Sequence, residues 1–191
     1  MRTFHPRQFF TTLAAATPRF PSQLYALLCG LALIALFTTH QPVHAQTALV
    51  GEAYKKVNQL ITAKNYKAAQ EAADAHLSSN PRDPQMRLLK SRILVAQGKS
   101  GEAMQLLQTL TQEYPEIAEP YNNLAVLYAS SGQLDQARVA LETALRINPN
   151  YGLALQNMGD VYRRMAHEYY SKALAQQPNN RALQAKVRSV Q

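Results

Sequence analysis

Residues 118–151, AEPYNNLAVLYASSGQLDQARVALETALRINPNY, contain two helical patterns separated by a short turn. In the first pattern Tyr121, Leu124 and Tyr128 recur at helical spacing and form one apolar stripe. Gly132 then suits the left-handed position that commonly ends a helix. The apolar stripe of the second pattern consists of Leu134, Ala137, Leu141, Ala144 and Leu145. The stretch therefore predicts a helical hairpin.

The features of this hairpin recur along the chain at one constant interval, which is the length of the quoted stretch. Three series keep that interval: Pro81, Pro115 and Pro149; Ala69, Ala103 and Ala137; and Gly98 with Gly132. One hairpin leaves an apolar face that only a neighbouring hairpin can cover, so such a period predicts a stacked array. The units lie at 50–83, 84–117 and 118–151.

The third unit resembles the tetratricopeptide repeat (TPR) family. The matching positions are Tyr121, Leu124, Ala125, Tyr128, Gly132, Ala137, Leu141, Ala144 and Pro149. The resemblance extends over about 50–178 and implies an all-α solenoid of helical hairpins. It is weakest in the first unit, where Lys64 and Asn65 replace the turn glycine. We expect Asn65 to tolerate the left-handed conformation there.

The fourth unit, 152–178, lacks the residues that would make a turn. The period would place its closing proline at position 183, but Pro178 comes five positions earlier. The apolar residues Leu155, Met158, Tyr162, Met165 and Tyr169 instead form one stripe at spacings of three and four. The pattern predicts a single helix from about 153 to 176, which fuses the two helices of the unit.

The second half of this fused helix is predicted to need cover, at Tyr169, Tyr170 and Leu174. Residues 179–191 can supply a short capping helix that folds back with Leu183, Val187 and Val190. A second copy of the chain is the other candidate, which would make the protein a homodimer.

Residues 1–45 have the three parts of a secretory signal peptide. A basic, acid-free beginning is followed by the apolar run 24–37, which is shorter than the roughly 20 residues of a membrane span. Val43 and Ala45 occupy the small-residue positions of a cleavage site. We therefore expect export, with cleavage after Ala45, a short linker at 46–49 and a periplasmic location. An uncleaved anchor in the inner membrane is the alternative.

The sequence contains no pattern that predicts catalysis, a cofactor or a metal site. It lacks a Gly-rich phosphate loop, an HExxH motif and a nucleophile elbow. Its single cysteine, Cys29, excludes an internal disulfide and a cysteine-based metal site. The tyrosines fall largely on repeat-core positions instead of alternating with Lys or Arg, so nucleic-acid binding is not predicted.

The resemblance implies that the first helix of each unit lines a concave groove. The side chains it places there are Tyr54 and Asn58 from the first unit, Leu88, Arg92 and Val95 from the second, Asn122, Val126 and Ala129 from the third, and Gln156, Asp160 and Arg163 from the fourth. We expect the Asn side chains to bond a peptide backbone, and Arg92 and Arg163 to meet a carboxylate.

We therefore expect a non-enzymatic scaffold or adaptor of the bacterial cell envelope that binds a peptide or partner helix in this groove. The alternative is a wall- or membrane-associated structural protein. The chain has a net charge of +8. Basic residues are concentrated over 160–191, and in the alternative this end would bind anionic glycan or lipid.

Overall fold

A computed structural model describes residues 43–191, which are helical and contain no strand within that range. The helices are α1 (Val43–Thr62), α2 (Tyr66–Ser79), α3 (Pro84–Ala96), α4 (Ser100–Glu113), α5 (Ala118–Ser130), α6 (Leu134–Ile147), α7 (Gly152–Gln176) and α8 (Arg181–Ser189). The basic beginning and the apolar run of the predicted signal peptide lie outside the described residues. Between residues 43 and 191, no helix is both long enough and apolar enough to cross a membrane.

Helices α1 to α6 form three hairpins, as the period predicts. The alanines that recur at this period, Ala69, Ala103 and Ala137, are each 0% exposed. They lie on the second helix of each hairpin, where the absence of a larger side chain permits close approach of the first. The cores of successive hairpins run into one another through α3, α5 and α7, which is the arrangement of a solenoid.

The predicted linker at 46–49 is instead part of α1, which begins at Val43 and continues to Thr62. This stretch contains Ala, Gln and Leu and has no Gly or Pro to interrupt it, so helix propensity favours continuation.

The three hairpin turns use one backbone conformation at one position of the period. Gly98 and Gly132 have φ of 78° and 79°, and Lys64 takes the equivalent place with φ of 57°. Our expectation for Asn65 is therefore wrong, because the residue before it adopts the left-handed conformation. Asn65 instead caps α2, accepting a 3.3 Å hydrogen bond from the Ala68 amide.

In the fourth unit the corresponding turn position is among the five absent residues. Helix α7 is continuous over 25 residues from Gly152 to Gln176, which agrees with the predicted fused helix. With the five turn residues absent, no left-handed residue interrupts the backbone hydrogen bonds. The all-α solenoid of three hairpins, a fused long helix and a short C-terminal helix is thus the observed fold.

Helix α8 folds back and packs on α7. The Asn180 side chain caps its start by accepting a 3.2 Å hydrogen bond from the Leu183 amide. Of the three side chains predicted to need cover, Tyr170 and Leu174 are half-buried, but Tyr169 remains 63% exposed. The fold-back therefore covers one side of α7 and leaves another open.

Candidate functional site

A row of four predicted groove residues lies along one face of the array. Asn58, Arg92, Val126 and Asp160 occupy the same position of the period on α1, α3, α5 and α7. Arg92 Nη1 donates a 3.4 Å hydrogen bond to Asn58 Oδ1. Val126 lines one cavity together with Arg92 and a second cavity together with Asp160. The structure thus brings these four side chains into one groove.

The larger cavity of this groove has a volume of about 380 Å³ and is mainly apolar. Its lining residues are Ile61, Tyr66, Ser91, Arg92, Val95, Ala96, Leu107, Asn123, Val126 and Leu127. Val95 and Val126 are 41% and 47% exposed, which is high for aliphatic side chains on a packed helix. Among these described lining residues Arg92 is the one with a charge. An apolar cavity beside a guanidinium suits a ligand that carries an aliphatic or aromatic side chain next to a carboxylate.

The smaller cavity, of about 250 Å³, continues the groove toward α7. Asp160 and Arg164 provide its charges. The Arg164 guanidinium also donates a 2.7 Å hydrogen bond to the carbonyl oxygen of Ala129, which fixes α7 against the end of α5. This part of the groove therefore presents both signs of charge beside an apolar lining.

Asn122 does not present its side chain to the groove as predicted. It is only 4% exposed, and its Oδ1 accepts a 2.8 Å hydrogen bond from Asn157 Nδ2. Its Nδ2 donates to Asn123 Oδ1 at 3.3 Å. Successive residues of a helix point about 100° apart, so Asn123 lines the larger cavity while Asn122 faces α7. Asn123 and Asn157 are the groove asparagines that the sequence reading missed.

Tyr54 and Leu88 also lie away from the two cavities. The Tyr54 hydroxyl donates a 2.6 Å hydrogen bond to Asp83 Oδ2, and its ring lies 5.7 Å from that of His76. Leu88 packs against the buried cluster that contains Leu94 and Leu107. These two predicted site residues therefore hold hairpins together.

Gln156 and Arg163 complete the predicted set. Gln156 is exposed on α7 but lines neither cavity of the groove. Arg163 Nη1 donates a 2.5 Å hydrogen bond to the carbonyl oxygen of Gln191, and its Nη2 lies 3.7 Å from Asp160 Oδ1. Arg163 thus interacts with the C-terminal end of the chain and is not free to bind a ligand carboxylate in the groove.

Tyr54 and Asp83, which cluster with His76, have shifted pKa values. Burial, together with the hydrogen bond to Asp83 and the charge of that carboxylate, raises the pKa of Tyr54 to about 12. Burial alone would raise the pKa of Asp83. Its hydrogen bonds from Tyr54, the Met86 amide and His76 outweigh burial, so the pKa of Asp83 lies below its ordinary value. His76 Nε2 lies 2.6 Å from the same carboxylate oxygen.

Most basic side chains near the C-terminal end have partners within the protein. Lys172 pairs with Glu168 at 2.5 Å and lies 5.5 Å from the centroid of the Tyr169 ring. Lys186 lies 5.2 Å from the centroid of the Tyr170 ring. Within residues 43–191 no group of three or more His, Cys, Asp or Glu side chains could hold a metal ion.

Comparison with known families gives two matches, each to a model described as tetratricopeptide repeat. One covers residues 54–116 and the other residues 94–159. Together they span 54–159, which includes Asn58, Arg92 and Val126 of the groove and ends one residue before Asp160.

Among curated proteins, the chain is 39% identical over 70 residues to the uncharacterized protein ycf37 of Pyropia yezoensis. That match covers 34% of this chain and 39% of the relative, so the chain spans well under half of the relative's length.

Two solved structures resemble the fold. A thermophilic TPR protein of Thermus thermophilus superposes with a TM-score of 0.55 at 22% identity, covering 88% of this chain and 93% of that one. YrrB, described as a TPR protein with an unusual peptide-binding site, gives a TM-score of 0.50 at 25% identity over 55% of this chain and 54% of its own.

Proposed function

The chain belongs to the tetratricopeptide repeat family, and we propose that it is a non-enzymatic scaffold that binds a segment of a partner protein in its concave groove. Members of this family are generally non-catalytic scaffolds. The resemblance to YrrB, whose description names a peptide-binding site, supports a peptide as the ligand class. The observation that carries the proposal is the continuous groove lined by Arg92, Val126 and Asp160.

The lining of the groove indicates what the segment should contain. The cavity around Val95 and Val126 fits an apolar side chain, whose burial would stabilise the complex by about 25 cal/mol per Å² of apolar surface. Arg92 is positioned to meet a carboxylate nearby, and the Asn123 amide to bond a peptide carbonyl or N–H. The segment that fits best is therefore an extended peptide or helix with an apolar anchor next to an acidic residue.

Site-specific crosslinking tests this proposal. A photoreactive amino acid at Val126 should capture a partner protein from envelope extract, and the crosslinked peptide should contain an apolar residue beside an acidic one. The same amino acid at Val139 on α6, which is 52% exposed, is the matched control because it lies outside both groove cavities. Equal capture at the two positions would contradict binding in the groove.

We place this scaffold in the bacterial cell envelope, exported to the periplasm. The proposal rests on the basic beginning, the apolar run and the small residues of 1–45. N-terminal sequencing of the exported protein should find a mature start at Gln46. A start before the apolar run would instead support the inner-membrane anchor.

The alternative, binding of anionic glycan or lipid by the basic C-terminal end, is less well supported. Lys172 pairs with Glu168, which offsets one positive charge, and Arg163 and Lys186 already contact a backbone carbonyl and a tyrosine ring. The dependence of binding on salt concentration distinguishes the two proposals, since binding of a polyanion by exposed cations weakens sharply as ionic strength rises. Binding that persists at moderate salt and is lost in Val126→Asp supports the groove. Binding lost with salt and unaffected by that substitution supports the alternative.

A further inference from the structure

The first half of α7 exposes a face that is covered in the third hairpin. Its side chains Leu155, Met158, Gly159 and Tyr162 occupy the positions that Tyr121, Leu124, Ala125 and Tyr128 hold one period earlier. There, helix α6 covers the face: Ala125 is 1% exposed, and Tyr121 and Tyr128 are half-buried against the same cluster. In α7, Leu155 and Tyr162 are 52% and 51% exposed. This face lacks its second helix.

The second half of α7 has the side chains of that missing helix. Allowing for the five absent residues, Ala166, Tyr170, Ala173 and Leu174 correspond to Ala137, Leu141, Ala144 and Leu145. Ala137, Leu141 and Ala144 are 0% exposed against the other helices of the array, whereas their three counterparts are only half-buried. A face suited to pack on a first helix is therefore present and incompletely covered.

Both faces lie on the same side of α7. A stripe along this side takes members from both faces together with Tyr169. It alternates steps of four and three residues and has no charged member: Leu155, Gly159, Tyr162, Ala166, Tyr169 and Ala173. Spacing of this kind keeps side chains aligned along one side of a helix and is typical of helices that pair lengthwise. Helix α8 packs on α7 without burying this stripe, since Tyr162 and Tyr169 remain 51% and 63% exposed.

The two faces cannot pack on each other within one chain, because they are consecutive parts of one continuous helix. We propose that two copies of this chain pair through antiparallel α7 helices, and that the second half of each α7 supplies the missing second helix of the other copy's fourth unit. Such an exchange of identical elements closes a two-fold dimer, and loss of a hinge loop favours it.

The register of this pairing follows from the third hairpin. Ala125 and Ala137 are both buried in one cluster there, and their counterparts in α7 are Gly159 and Ala166. In the dimer Gly159 of one copy should face Ala166 of the other, and the two-fold axis repeats this pair. The space is available, because a Cβ added at Gly159 would have no neighbour within 4 Å.

A cysteine pair tests the register in the full chain with Cys29→Ser. In Gly159→Cys with Ala166→Cys, the two positions of one helix lie about 10 Å apart at about 1.5 Å per residue. This is beyond the roughly 7 Å that a disulfide can bridge, so any such bond must join two copies. We expect a disulfide-linked species of twice the chain mass on oxidation, and none with either cysteine alone. Failure of the double variant to crosslink would overturn the proposal, as would equal crosslinking by the single variants.

Restoring the turn provides an independent test. Inserting Ala-Ser-Ser-Gly-Gln, the sequence of residues 129–133, between Tyr162 and Arg163 returns the fourth unit to the full period. Light scattering should give twice the mass of one chain for the unmodified protein and the mass of one chain for this variant. The same two cysteines should then form a disulfide within one chain. A monomeric unmodified protein, or an insertion variant that stays dimeric, would contradict the exchange. If the insertion variant does not fold, the cysteine pair decides the question.

Discussion

The hydroxyl of Tyr54 on α1 donates a 2.6 Å hydrogen bond to Oδ2 of Asp83, the residue that caps α3. The same oxygen lies 2.6 Å from Nε2 of His76 on α2, while Oδ1 accepts from the amides of Gln85 and Met86. One carboxylate therefore connects three helices. It anchors the first hairpin, whose sequence departs most from the family pattern, to the second.

Replacing Tyr54 by Phe removes the hydroxyl and should lower the free energy of unfolding by about 1 to 2 kcal/mol, since a hydrogen bond to a charged group is lost. The folded pKa of about 12 exceeds the ordinary 10.0, so the folded state holds its proton more tightly than the unfolded state. Its contribution is therefore complete below pH 10 and lost as pH rises to about 12.

Urea unfolding as a function of pH measures both effects. The difference between wild type and Tyr54→Phe should shrink between pH 10 and about 12. Tyr66→Phe is the control, as a tyrosine of the same hairpin outside this cluster. A constant difference across that range would show that the hydroxyl does not titrate as described.

Asp83→Asn should destabilise the protein at neutral pH by about 1 to 3 kcal/mol while leaving the helix cap in place, because Asn is also a good N-cap. The folded pKa of Asp83 is depressed, so its contribution is present above the ordinary carboxyl pKa. It is lost as pH falls through the folded pKa. Acid titrations of stability should therefore be less steep for Asp83→Asn than for wild type. Asp135→Asn on α6, an exposed acid outside this cluster, is the control variant.

Substitution of the neighbouring asparagines separates stability from binding. Asn122→Ala leaves Asn157 without its 2.8 Å partner and should lower the free energy of unfolding by about 1 to 3 kcal/mol. Asn123→Ala removes only the 3.3 Å acceptor of Asn122 Nδ2, so it should lower stability less than Asn122→Ala does, and it should weaken partner binding. Thermal melts and the Val126 crosslinking yield measure the two effects, and the reverse assignment would place Asn122 in the groove after all.

Lys64→Gly should stabilise the first hairpin by about 1 kcal/mol, because a left-handed conformation costs a residue with a Cβ about 1 to 2 kcal/mol. Lys64 is the one residue with a side chain that has positive φ within the described part of the chain, at 57°. Lys56→Gly is the matched control: it is an exposed lysine in the interior of α1, where glycine should destabilise by about 1 kcal/mol. Chemical denaturation of both variants should therefore give shifts of opposite sign.

Much of the fold followed from the sequence because the relevant interactions are local or repeated. The period predicted the hairpins. The buried alanines and the left-handed Gly98 and Gly132 occur at the positions that the period predicts for them. In the first turn the left-handed residue is Lys64, one position before the Asn65 that we expected. Lys64 has no intrinsic preference for positive φ, and its conformation is imposed by the two helices that the turn connects.

The candidate site was only partly predictable. Equal spacing was sufficient to align Asn58, Arg92, Val126 and Asp160, because identical positions of stacked units point in the same direction. It did not show that Tyr54 would bond Asp83, or that Arg163 would bond the carbonyl of Gln191. These partners lie 29 and 28 residues away.

The sequence by itself determined the repeating hairpin unit and the fusion of the fourth unit into one helix, since both depend on periodicity and on the presence or absence of turn residues. Only the tertiary structure decided which side chains of each first helix face the groove. Helical periodicity sets the direction in which a side chain leaves its own helix. The neighbouring helices decide whether that side chain lines the groove, as Asn123 does, or bonds a partner, as Asn122 does.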